Sequence, residues 1–517
     1  MSTDTARPPE PATASRLTPP QLWTALFLLA FSNLMVMLDL TIANVSVPHI
    51  AGNLGVSMDQ GAWIITSYAV AEAICVPLTG WLATRFGVVR VFTAAMFGFG
   101  LFSLLCGIAP TLTMLVLCRI GQGLCGAPIM PSSQTLLYLL FEPKRRPAAM
   151  AVWSMTTALG PACGPIVGGY ISDNYSWHWI FLINVPIAII CCTIAILLLR
   201  RAETPTVRQS VDAVGLALLV FWVGCLQIML DIGNDHDWFS DWKVVALAIS
   251  AAVGFCVFVI WELTEDHPVV DLRIFRHRGF AVAVTILSFT FAGYFAGLVV
   301  IPQWLQTNMG YPAAEAGMVT AFTALSSMLA GPIVTRLAPR VDLRMLVSSA
   351  VAWLAFCTWL RAHWSTGADF WTLSLPQMMQ GIAMPMFMIP LTITSLNSVN
   401  PDETASAAGL QAFMRTMGIA IATSVVLTYW SHSSRVVGAD LAGSLDPQQV
   451  SNTLGGVGMA GEQGRAMVAG LVDVQARTIA LDNTFVAATM LQIVAGALIW
   501  IAPRVRLRPA AGAAAAH

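Results

Sequence analysis

Residues 178–201 read HWIFLINVPIAIICCTIAILLLRR. No charged side chain interrupts the run from Trp179 to Leu199, and Arg200 and Arg201 then follow together. A helix rises 1.5 Å per residue, so about 20 such residues cross the hydrocarbon core of a bilayer. The basic pair at the end marks the cytoplasmic face. This stretch reads as a transmembrane helix with its orientation attached.

Composition extends that reading to the whole chain. Of 517 residues 57% are apolar and only 10% charged, against about 25% charged in soluble domains. Mean hydropathy is +0.72. High apolar content with a net charge of -1 excludes a disordered chain. The same balance leaves no basic excess to meet the phosphates of a nucleic acid. Candidate spans lie at 22–47, 61–81, 89–109, 111–139, 148–169, 178–199, 212–231, 242–263, 280–301, 314–335, 343–361, 370–395, 405–430 and 481–503. The expected fold is an all-α polytopic membrane protein with fourteen transmembrane helices.

Basic residues fix the topology. With the N-terminus in the cytoplasm, 19 of the 26 Lys and Arg residues fall on the cytoplasmic side. Lys243, Arg361, Arg435, Arg465 and Arg477 fall on the far side, and Arg119 and Arg415 lie inside spans. Both termini are therefore expected to be cytoplasmic. Residues 1–21 show no cleavable signal and read as a cytoplasmic tail, as do residues 504–517. All ten cysteines sit in apolar runs without metal-like spacing, so neither disulfides nor metal sites are expected. The segment 431–480 reads as a far-side loop of about fifty residues, either a tether or a docking surface for a partner.

Internal repetition divides the chain. Gly80 to Arg85, with Arg90 after it, is echoed by Gly331 to Arg336, with Arg340 and Arg344 after it. Residues 22–200 and 280–503 read as two related six-helix bundles, with two further helices inserted in 201–279. Repeated halves with a site between them are the usual build of secondary transporters.

Charged groups within spans are costly and mark function by default. Asp39 and Arg119 both lie on the order of 12 Å from the far-side boundary, counted by helix rise. Glu72 lies roughly 16 Å into the second span by the same count. Two carboxylates and an arginine thus share a layer. One reading is proton coupling, in which a buried carboxyl loads and releases a proton while Arg119 serves as fixed counter-charge. The other is a structural ion pair that pins the spans. Arg415 is a candidate for pairing with a carboxylate, for meeting substrate charge, or for bonding backbone carbonyls. Asn44 and Gln122 join it as candidates for substrate binding or charge pairing.

Gly160, Gly164 and Gly168 recur every four residues in the fifth span, with Pro161 and Pro165 between them. They form a smooth ridge on a loosened helix, which suggests a hinge or sliding contact between bundles. Trp177 and Trp179 are placed as interface anchors. Met35, Met37, Met384, Met386 and Met388 lie in spans able to face a cavity for apolar ligands. No phosphate loop, nucleophile elbow or HExxH helix occurs, so neither ATP-driven pumping nor enzyme chemistry is expected.

Several of these segments together resemble the major facilitator superfamily, in its fourteen-span drug:proton antiporter branch. Leu38-Asp39-Leu40-Thr41-Ile42-Ala43-Asn44-Val45 is similar to the first-span motif, whose Asp is linked to proton coupling. Gly80 to Arg90 resembles the gating motif between spans 2 and 3, with Thr84 where an Asp often stands. Arg119-Ile120-Gly121-Gln122-Gly123 resembles the fourth-span motif, Gly160 to Gly169 the antiporter motif, and Arg415-Thr416-Met417-Gly418 the span-13 pattern. The match is closer still to the inner-membrane subunits of three-part multidrug pumps. That resemblance implies export of hydrophobic toxic compounds from the cell inner membrane, with protons as coupling ion and no other cofactor. It also implies a periplasmic adaptor of the EmrA type and an outer-membrane channel of the TolC type. Import of a polar nutrient on the same fold, or a receptor or scaffold without transport, are the alternatives.

Overall fold

A computed structural model describes residues 17–498, apart from 57, 143–144, 208–211, 234–237, 267, 338–340, 401–402 and 446–461. Regular structure among them is helical throughout. The first half comprises α1 (Pro19–Leu54), α2 (Met58–Cys75), α3 (Thr79–Phe86), α4 (Val88–Gly107), α5 (Leu112–Gly126), α6 (Ile129–Leu140), α7 (Arg146–Asn174), α8 (Trp179–Leu182) and α9 (Asn184–Ile194). The inserted pair is α10 (Ala213–Ile232) and α11 (Trp242–Thr264). The second half comprises α12 (Arg278–Asn308), α13 (Ala313–Leu337), α14 (Leu343–Arg361), α15 (Phe370–Gly381), α16 (Ala383–Asn397), α17 (Thr404–Ser444) and α18 (Glu462–Leu498).

Each of the fourteen expected segments falls on a helix or a broken helix pair. Among the described residues ten helical stretches are long and apolar enough to cross a membrane, eleven counting the pair α2–α3, which bends by 55°. Pro77 lies in that break, and Pro128 in the break between α5 and α6. A proline removes a helical hydrogen bond, so both spans are jointed where the sequence puts one. Outward-facing apolar side chains such as Leu197, 77% exposed, suit a surface covered by lipid rather than water.

Packing follows the repeat. In the first half α1 packs on α7 and α2 on α5; in the second α12 packs on α17 and α13 on α15. The halves meet through α7 against α13 and through α3 and α6 against α17. The inserted pair leans on α2 and α17, where Trp222 and Phe258 join the same apolar cluster as Phe413.

One expectation changes. Segment 431–480 is mostly helix, because α17 continues to Ser444 and α18 begins at Glu462. The two helices pack together, and the Trp430 indole N–H donates to the Arg477 carbonyl at 3.0 Å. Tertiary packing makes helix where no apolar run signals it. Asp446 to Gln449 and Gly455-Gly456 lie outside the described residues, as do 1–16 and 499–517, while α1 already begins at Pro19, within the expected tail 1–21.

Candidate functional site

Five helices of the first half converge on Asp39. Helix α1 carries it inward with no solvent exposure, and α5 brings Arg119, 1% exposed. The Arg119 Nη1 donates to Asp39 Oδ2 at 2.7 Å. On the other carboxylate oxygen, Oδ1, Gln122 Nε2 donates at 3.0 Å and Asn184 Nδ2 at 2.7 Å. Ser103 Oγ accepts from both amides, at 2.6 Å and 3.4 Å. Arg119 also donates to the Gln122 Oε1 at 2.8 Å and, through Nε, to the Ile64 carbonyl at 3.1 Å. Its guanidinium lies 4.2 Å from the centre of the Tyr68 ring.

Each of these three partners of Asp39 donates, so both carboxylate oxygens are served. Buried ion pairs hold only when such extra hydrogen bonds offset desolvation. A proton arriving on Asp39 would have to displace one of these donors, and α1, α5 and α9 are the helices those donors tie together. The arrangement is therefore suited to couple protonation to helix movement.

Helix α7 positions α1 from the other side. A methyl group on Gly160 would overlap Met37, and one on Gly164 would overlap Thr41 Oγ1 and stand 3.2 Å from the Ile42 amide nitrogen. A methyl on Gly168 would come within 2.8 Å of the Ile42 carbonyl oxygen. The glycine ridge thus seats the very turn of α1 that carries Asp39. The expected bundle-to-bundle contact is corrected: the ridge faces α1 inside its own half, and the contact of α7 with α13 uses another face, where Met155 meets Gly331. Pro161, Pro165 and Asn44 lie on these helices, with side chains outside the described set.

Glu72 is buried but stands apart from Asp39. It lies in the field of Arg415 and of Arg119, the former stronger, without a direct ion pair to either among the described residues. Arg415 reaches from α17 into the space between halves, touching the Met130 sulfur and lying 5.3 Å from the Phe291 ring. Of the expected layer, Asp39 and Arg119 are in contact, and Glu72 is buried without a direct ion pair among the described residues.

The gating segment meets the second half directly. A methyl on Gly80 would lie 2.6 Å from the Ser406 Cα. Arg85 packs over Trp81 at 5.3 Å, while Arg90 is exposed and 3.8 Å from Glu203. Glu203 caps the start of α4, accepting from the Val89 and Arg90 amides at 3.0 and 3.1 Å. Nearby, the Tyr138 hydroxyl donates to Asn397 at 2.6 Å, so the two halves touch at this end.

Asn184, Ser103 and the Ile64 carbonyl are site members that sequence reasoning left out. Asn184 opens α9 beside Pro186, the one signal that could have singled it out. Trp179 is exposed as an anchor should be, but Trp177 is buried and stacked on His178. Met35, Met37, Met384 and Met388 are buried in a core cluster shared by both halves. Arg361, sorted to the far side by position, turns back into the protein and is 2% exposed.

Comparison with known proteins places the chain among transporters. The profile described as Major Facilitator Superfamily matches residues 29–423. The multidrug export protein EmrB of Escherichia coli strain K12 is 41% identical over 480 residues, covering 92% of this chain and 94% of that protein. The fatty acid resistance protein FarB of Neisseria gonorrhoeae is 39% identical, covering 90% and 93%. Among solved structures, a bacterial homolog of the human lysosomal transporter Spinster superimposes with a TM-score of 0.53 at 15% identity, covering 94% of this chain and 98% of that one.

Proposed function

The chain belongs to the Major Facilitator Superfamily, and from that premise we propose that it is a proton-coupled exporter of hydrophobic toxic compounds. The observation that carries the reading is the buried Asp39–Arg119 pair, held on α1 and α5 with both carboxylate oxygens served. Relatives spanning at least nine-tenths of the chain are named for multidrug export and fatty acid resistance, which supports several apolar cargoes rather than one nutrient.

In this scheme a proton from the far side neutralises Asp39 and releases donors from α5 and α9. Arg119 then keeps its bonds to Gln122 and to the Ile64 carbonyl, which spares it a bare buried charge. Glu72, buried and under the electrostatic influence of both Arg415 and Arg119, is the proposed link from the proton site to the second half. As the halves rock about α7 and α13, the contact of Gly80 with Ser406 opens and closes the cytoplasmic end. The basic-residue count supports an inner-membrane protein with both termini in the cytoplasm.

Helices α17 and α18 extend past their spans as a paired rod. The fourteen positions 431–444 alone amount to roughly 20 Å of helix at the standard rise. This rod is the proposed seat for a periplasmic adaptor of the EmrA type, which would hand cargo to a TolC-type channel. A direct test compares dye accumulation in cells with and without the gene, before and after an uncoupler. Export predicts lower accumulation with the gene and loss of the difference once the proton gradient collapses. Gene-dependent uptake, or a difference that survives the uncoupler, contradicts it.

A further inference from the structure

The second half repeats the polar scaffold around Asp39 with its charges rearranged. Helices α5 and α15 begin at matching caps, where Thr111 accepts from the Met114 amide and Asp369 from the Thr372 amide. These caps are 258 positions apart (369 minus 111). The same interval carries Gln122 to Gln380 and Gly123 to Gly381. Both glycines do the same work, since a methyl on either would strike a carbonyl of the neighbouring helix, Tyr68 or Thr323. It also carries Arg119 to Gln377 and Asp39 to Gly297, while Arg361 closes α14, the helix before α15. The arginine has moved to the preceding helix, and its carboxylate is gone.

Arg361 is nonetheless fully enclosed. Its Nη2 donates to Gln377 Oε1 at 3.0 Å, and its guanidinium lies 5.9 Å from the Phe485 ring. Its Nε has no partner, and neither do the Tyr294 hydroxyl, Gln377 Nε2 and both amide atoms of Gln492, all buried. No carboxylate pairs with it among the described residues; Asp482, on the neighbouring α18, faces the Trp364 amide and His363 instead. At Gly297 a methyl group would meet nothing beyond its own helix within 4 Å except Arg361 Nη1, at 3.2 Å. A carboxyl group carried at Gly297 would therefore lie directly against a guanidinium that has no carboxylate partner among the described residues, where the other half carries Asp39.

A buried cation without a counter-charge is costly, and unpaired buried donors compound the cost. An incoming anion relieves both. We propose that Arg361, Gln377 and Tyr294 form a binding site for the carboxylate of an amphipathic substrate, seated beside Gly297. The planar fork of arginine suits a two-oxygen carboxylate, and the packed cluster of Trp304, Trp364 and Phe485 adjoins it as an apolar wall. The proposal rests on the export reading and narrows it: this half selects anionic cargo.

The test is a fluorescence titration of the full chain in lipid nanodiscs with pyrenebutyrate and neutral pyrenebutanol, empty nanodiscs giving the background. The wild type is expected to bind the acid at least about tenfold tighter than the alcohol, a factor of ten being one such contact. Arg361→Gln removes that preference and leaves the alcohol unchanged; Arg361→Lys keeps part of it. Gly297→Asp supplies an internal carboxylate and abolishes the preference with Arg361 still in place. Equal wild-type affinities, or a preference that survives Gly297→Asp, overturn the proposal. Because no gradient is applied, either result is independent of whether export is proton-driven.

Discussion

Arg119 and Asp39 lie 80 positions apart in sequence and meet at 2.7 Å, with neither side chain more than 1% exposed. Removing one partner strands the other charge. Asp39→Ala is therefore expected to destabilise the protein by about 3–5 kcal/mol, whereas Asp39→Asn keeps shape and some hydrogen bonding and costs less. Thermal unfolding in detergent orders the two variants. An Asp39→Ala protein as stable as the wild type contradicts the pairing.

Asn184 completes the site through a hydrogen bond to a charged acceptor, a class worth about 1.5–3 kcal/mol. Asn184→Leu should lower stability by that order. In an Asp39→Asn background the same change should cost markedly less, because the charge it serves is gone. A double-mutant cycle measures the difference, and strict additivity would show that the two residues are uncoupled.

Gly164 and Gly224 offer a paired comparison. A methyl on Gly164 overlaps Thr41, while one on Gly224 meets nothing within 4 Å. Gly164→Ala is expected to cost about 1–3 kcal/mol by overpacking and to disturb the turn holding Asp39. Gly224→Ala should be neutral or stabilising by up to about 1 kcal/mol from helix propensity. Equal thermal shifts for the two would refute the role given to the glycine ridge.

Outside the spans, Glu403 ties the start of α17 to the linker before α12. Burial alone would raise its pKa, but the Asn400 amide and His277, with Arg276 2.8 Å away, bring it net below the ordinary glutamate range. A depressed carboxyl contributes stability that is present above its unfolded value, about 4.3, and is lost as pH falls through the lower folded value. Amide exchange in residues 272–278 should thus stay slow at neutral pH and quicken only below about pH 4. Faster exchange already between pH 7 and 5 would count against this tie.

The Asp39 site is legible in the sequence because charge in an apolar run is conspicuous. Asp39, Arg119 and Gln122 could be named, and two of them placed in one layer by counting helix rise. Asn184 and Ser103 escaped notice, since neutral polar residues are common in spans and only tertiary contact distinguishes them. Glu72 shows the limit of depth alone: it shares the level of Asp39 and Arg119 and is buried, but it makes no ion pair with Arg119 among the described residues. Arg361 illustrates the same limit, because position along a helix does not say whether a long side chain turns outward or back. The extensions of α17 and α18 look like loop in the sequence because their stability comes from packing against each other.

The central claim is that Asp39 carries the coupling proton. The most direct measurement uses purified protein in liposomes with an imposed pH gradient, following pyrenebutanol export and proton movement together. The wild type should export only along with inward proton flow, and Asp39→Asn should still bind the cargo but lose its response to the gradient. Export by Asp39→Asn with unchanged gradient dependence would contradict the account.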